Sequence, residues 1–247
     1  MNRFWVFVIG IGTLAISWFA FSQICRWFGM TDPALFAAMI VISVLVHELC
    51  HFSVLENYGI KCFMVFLVIM GGVLPQSAYE EKYKNLEWRK KIRVSLVGVA
   101  GNLLLVLAGC LLYLFGLLSA HNLNRLVDLN ASLVVFNLLP LGILDGGRFM
   151  KILFDNAPSY FDVQHFRKMA ITVVVSAVIS VFLFSSQTFF LFTWLFIIGL
   201  LKKERVCLWE EGNNGGMTRK EFAAWGMAYV GLIVLGLTIS SFTTWTK

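Results

Sequence analysis

The chain has 247 residues, of which 59% are hydrophobic and only 14% charged, and its mean hydropathy is +0.79. That usage lies far from soluble composition and leaves no room for a soluble domain of ordinary size. The net charge of +6 comes without any aromatic-basic module, so nucleic acid is excluded as a partner.

At about 20 residues per crossing, the length accommodates six or seven membrane helices with short loops. The first apolar segment is Phe4–Ser22, after Met1-Asn2-Arg3. It is too long for a signal-peptide core and ends in no small-x-small site, so it reads as a retained helix. The second, Pro33–Leu55, carries His47-Glu48-Leu49-Cys50-His51 inside an apolar run. Ionisable groups in such a run are costly and turn toward a bundle interior or a water-filled cavity. Two His four apart share one helical face, with Cβ atoms about 5–6 Å apart. Both imidazoles can then grip one zinc ion, with Glu48 as general base.

Residues Ile60–Tyr79 begin apolar and are then broken by Gly71-Gly72 and Pro75. Their β-branched and aromatic residues with Gly punctuation predict a re-entrant hairpin or strand pair. Glu80–Arg93 interleaves Glu and Lys and reads as a solvated or interfacial stretch. Further apolar segments are Arg93–Leu118, Ala131–Phe154, Lys168–Phe184, Thr188–Leu201 and Phe222–Phe242, the fifth and sixth of the seven being two crossings or one broken helix. Residues 210–216 read as a flexible loop.

With the N-terminus inside, 17 of the 20 Lys and Arg fall on the inner side and only Arg26, Arg125 and Lys247 outside. This bias orients the chain. The five cysteines are scattered, so they form neither a disulfide framework nor a paired CxxC site. Cys50 reads as a packing residue.

A catalytic zinc takes three protein ligands and keeps one position open. His47 and His51 supply two. Of the remaining His, His121 falls in an expected outer loop and His165 in an expected inner one, so a carboxylate is the better third ligand. Asp145 is that candidate, in the stretch Asn137-Leu138-Leu139-Pro140-Leu141-Gly142-Ile143-Leu144-Asp145-Gly146-Gly147. An apolar helix that breaks at Pro and ends in Asp-Gly-Gly implies a polar pocket at membrane depth. The charge bias puts His47, His51 and Asp145 at similar depths near the cytoplasmic face.

These two motifs, His-Glu-x-x-His and Asn-x-x-Pro-x-x-x-x-Asp-Gly, resemble those of the site-2 protease family of intramembrane zinc metalloproteases. The resemblance covers roughly residues 33–154. It implies an all-α polytopic membrane protein with a three-helix catalytic core. It further implies that Gly71-Gly72-Val73 form an edge strand that pairs with an unwound substrate, and that Asn137 is the oxyanion partner beside the general base Glu48. Gly98-Val99-Ala100-Gly101-Asn102 resembles a Gly-Pro-x-Ala-Asn stretch, but Val99 and Gly101 depart from it, so only Asn102 carries over. The expected activity is hydrolysis of peptide bonds in membrane-spanning or membrane-associated substrates, in regulated intramembrane proteolysis or peptide maturation. The expected whole is one membrane domain, 1–247, in a bacterial plasma membrane, compact and without an inserted PDZ or a nucleotide-sensing domain. Two other classes compete. A membrane zinc-handling or transport protein would need several ion sites along a path, and only one cluster is found. An inactive scaffold homologue would be expected to lack one of the three ligands or Glu48, yet all are present.

Overall fold

The computed structural model describes residues 3–67, 70–139, 144–158 and 216–245. The segments Lys168–Phe184 and Thr188–Leu201, most of the loop 210–216 and the Pro140 break lie outside the described residues. The elements in order are helix α1 (Arg3–Trp27), α2 (Pro33–Asn57), strands β1 (Cys62–Leu67) and β2 (Met70–Pro75), then helices α3 (Glu80–Lys84), α4 (Trp88–Leu114), α5 (Ala120–Asn137), α6 (Asp145–Asp155) and α7 (Arg219–Trp245). The described residues are thus mostly helical with one small sheet, as the hydropathy pattern predicts.

Three of these helices are long and apolar enough to cross a membrane: Pro33–Asn57, Trp88–Leu114 and Arg219–Ser241. Their outward faces support that role. Leu104 on α4 is 61% exposed and Val230 on α7 57% exposed, amid many other exposed apolar side chains. Exposed apolar surface on this scale is unfavourable in water and natural in hydrocarbon.

The chain forms two compact units, Met1–Leu86 with Ala100–Leu126, and Glu87–Val99 with Val127–Lys247. In the first unit, Pro33 starts α2 at a position where its missing N–H costs nothing. Phe36, Ala37 and Ile40 are buried on the inner face of α2, and Trp18 of α1 donates from Nε1 to the Ala34 carbonyl at 2.9 Å. Helix α2 ends in a Schellman motif. Gly59 takes φ +68°, the Gly59 N–H donates to Glu56 O at 2.8 Å, and the Ile60 N–H donates to Leu55 O at 3.0 Å. The left-handed residue turns the chain directly into β1. Strands β1 and β2 pair antiparallel, with Val65 opposite Gly72 and Phe66 opposite Gly71. The expected hairpin is present, and β2 has no second strand partner among the described residues.

In the second unit, the fourth apolar segment differs from its expected bounds. Residues 131–137 belong to α5 and 145–154 to α6, on either side of the expected Pro140 break. Helix α5 starts at Ala120, so His121 and Arg125 lie on a helix and not in a loop. Its polar first turns hid its start from an apolar-run reading. Gly236 on α7 faces α5; a Cβ there would sit 2.9 Å from Val135 Cγ2, so only glycine lets the two helices come this close. Thr218 and Glu221 form a capping box at the start of α7: the Thr218 N–H donates to Glu221 Oε2 at 3.0 Å, and the Glu221 N–H to Thr218 Oγ1 at 3.3 Å.

Candidate metal centre

His47, Glu48 and His51 are all buried on α2, 6%, 8% and 4% exposed. Four-residue spacing stacks the two imidazoles on one face. Their Nε2 atoms lie 3.1 Å apart and their ring centroids 4.8 Å apart. Two nitrogens bound to one tetrahedral zinc at ordinary Zn–N lengths are separated by about 3.3 Å. The pair therefore has the bite that the metal requires.

Asn102 on α4, fully buried, fixes how His47 presents itself. Its Nδ2 donates to the Ser43 carbonyl at 3.3 Å. A carbonyl only accepts, so the amide orientation is settled and Oδ1 faces His47 Nδ1 at 2.7 Å. His47 must then carry a proton on Nδ1, and its Nε2 faces the Nε2 of His51. Outer hydrogen bonds of this kind set the tautomer and aim of metal-binding histidines. The neighbouring Gly101 allows this approach: a Cβ there would lie 2.7 Å from Cys50 Sγ and 3.5 Å from the Val46 carbonyl. Cys50 is half-buried and packs between the helices.

Glu48 follows His47 and so points about 100° around the helix from it. Strand β2 runs over it. A Cβ on Gly71 would come within 2.6 Å of Glu48 Cγ and 3.0 Å of Oε1, so the strand backbone rests against the carboxylate side chain. Gly72 has nothing within 4 Å of its own Cβ position. Val73 is buried and pairs with Met64. The two glycines therefore differ: one makes room for Glu48, the other faces open space. The sequence reading gave them a single role.

In the second unit, Asp145 is the first residue of α6 and is buried, with Arg148 Nη1 3.9 Å from its Oδ1. A Cβ at Gly146 would overlap the backbone of Leu138 and Leu139 at the end of α5. Glycine is required there because backbone meets backbone. Asn137, half-buried at the end of α5, donates from Nδ2 to the Leu133 carbonyl of its own helix at 3.0 Å. Sequence reasoning left Asn102 to the family resemblance alone and passed over Gly71 as a neighbour of Glu48. It also missed Tyr229, which reaches the Leu138 carbonyl from α7. No local pattern marks a single tyrosine in an apolar run.

A buried His-Glu-x-x-His helix beside an edge strand, in a chain with membrane-length helices, defines a class of integral membrane protein with a metallopeptidase-type site. Comparison with known proteins agrees. Residues 118–182 match the family model Peptidase family M50, a stretch that includes Asp145 but not the His-Glu-x-x-His helix. A protein named zinc metalloprotease from Methanocaldococcus jannaschii is 30% identical over 128 residues, which cover 49% of this chain and 35% of that protein. Stage IV sporulation protein FB of Bacillus subtilis is 27% identical over 115 residues, 47% of this chain and 38% of that protein. The chain thus matches little more than a third of the length of these relatives. The similarity to peptidase family M50 thus rests on residues 118–182.

Proposed function

We propose that this protein is an intramembrane zinc endopeptidase. The observation that carries the reading is the Asn102–His47–His51 arrangement, in which Asn102 holds His47 Nδ1 and the Nε2 atoms of His47 and His51 face each other at 3.1 Å, with Glu48 buried alongside. His47, His51 and Asp145 are each buried and have the donor types to hold one metal ion. Two imidazoles and a carboxylate suit zinc and leave one position for water or substrate. When bound, the metal supplies Lewis acidity: it polarises a carbonyl and acidifies water.

The chain's own residues do the rest. Glu48 takes a proton from the attacking water and returns it to the leaving amine. Asn137 donates to the developing oxyanion once its Nδ2 leaves the Leu133 carbonyl. A substrate helix must first open, because its peptide bonds are shielded. The edge of β2 at Gly71-Gly72-Val73 offers backbone pairing for that step, which reads main chain more than sequence. The substrates are membrane-spanning or membrane-associated proteins and peptides.

The architecture we assign is one membrane domain over 1–247 with six or seven crossings and a catalytic core near 33–154. Its site lies toward the cytoplasmic side of a bacterial plasma membrane, following the basic-residue bias.

The test measures zinc and cleavage together. Purified protein should hold near-stoichiometric zinc, and His47→Ala and Asp145→Ala should lose it. Glu48→Gln should keep zinc while cleavage of a membrane peptide falls by roughly 10²–10⁴-fold. Full zinc retention in both ligand variants, or near-normal cleavage by Glu48→Gln, would sink the assignment.

A further inference from the structure

We propose that Tyr229 on α7 is a positioning residue for Asp145; this rests on the zinc-site reading above. Asp145 opens α6, and the chain reaches it from the end of α5. A ligand placed at the junction of two helices is only as well aimed as that junction is rigid. Three contacts within one unit bear on it, and Tyr229 makes two of them.

The first is at Gly146, whose Cα packs directly on the backbone of Leu138 and Leu139. This holds the start of α6 against the end of α5. The second is the Tyr229 hydroxyl, which donates to the Leu138 carbonyl. The last carbonyls of a helix lack helical partners and need a donor from elsewhere, above all in a setting without water. Leu138 is fully buried, and Tyr229 is only 7% exposed, so this bond is sealed from solvent. The third is the Tyr229 ring, which lies flat on Phe149, with centroids 4.9 Å apart and planes 2° apart. Phe149 stands one turn after Asp145 on α6. A single side chain therefore ties the carbonyl at the end of α5 to α6 one turn past its start, on both sides of the proposed ligand. An aliphatic residue of similar size would fill the space but hold neither end. The hydroxyl and the flat stack are together what a positioning role requires.

The experiment compares full-length Tyr229→Phe, Phe149→Leu and Tyr113→Phe with wild type in detergent. Zinc dissociation constants are read by competition with a chromophoric chelator, on the folded monodisperse fraction only. Tyr229→Phe keeps the stack and loses the donor. Its zinc affinity should fall roughly 10–100-fold, the range for loss of outer support of a metal ligand. Phe149→Leu keeps the hydroxyl and loses the stack, and should weaken zinc by a smaller factor. Tyr113, exposed on α4, should not matter. A merely structural Tyr229 would lower the melting temperature and leave the affinity of the folded fraction unchanged, and that result overturns the proposal. If wild type binds no zinc, or Asp145→Ala keeps it, the underlying ligand set fails and the proposal falls with it. If those controls hold and Tyr229→Phe matches wild type, the proposal alone is overturned.

Discussion

Asn102 joins α4 to α2 at two points one turn apart: it donates to the Ser43 carbonyl and accepts from His47 Nδ1 at 2.7 Å. The imidazole is thus referenced to its own helix through a neighbour. Asn102→Leu keeps the volume and removes both bonds, freeing the ring to rotate and to move its proton. Zinc affinity should fall about 10–100-fold, measured by chelator competition, with helical content unchanged. Unaltered affinity would show that His47 needs no such support.

Gly71 and Gly72 should part company. At Gly71 even a methyl group would meet Glu48 Cγ at 2.6 Å, so Gly71→Ala must displace either the strand or the Glu48 side chain, the proposed general base. Misplacing a reacting group by about 1 Å can cost roughly 10²-fold in rate. Gly72→Ala meets nothing within 4 Å and should cleave within a few-fold of wild type. Both should retain zinc. Equal loss of cleavage in the two variants would mean that the strand acts by substrate pairing alone.

Gly146→Ala is expected to be more severe. The added methyl would overlap main-chain atoms of Leu138 and Leu139, which cannot rotate away as a side chain can. The cost should reach or pass the upper end of the ~1–3 kcal/mol range for overpacking. Thermal unfolding in detergent and zinc content report on it, and both should drop. A variant that melts like wild type would show that the α5–α6 junction is loose.

The orientation has its own test. A single cysteine at Lys84, in a background without the five native ones, should resist an impermeant thiol reagent in intact cells and react after lysis. Efficient labelling of intact cells would reverse the topology.

Much of the site was legible in the sequence because it rests on spacing. His47 and His51 share a face by helical period alone, and the β-branched run with Gly71-Gly72 announced a hairpin. The limits of α5 were not legible, because Asn122, Asn124, Arg125 and Asp128 break the apolar signal while the backbone stays helical. The packing partners around the candidate site were hidden for another reason. Asn102 lies 55 positions from His47, and Tyr229 lies 91 from Leu138. Such pairs arise only when helices pack, and no periodicity along one element encodes them.

The close approach at Gly101 has a mechanical consequence. One sulfur atom, Cys50 Sγ, acts as the spacer between α2 and α4, adjacent to the residue that aims His47. Its radius sets the gap across which Asn102 must reach. The thiol would then work as a gauge block. Enlarging it by alkylation would act as a wedge, felt one residue away on α4 as a misdirected imidazole on α2.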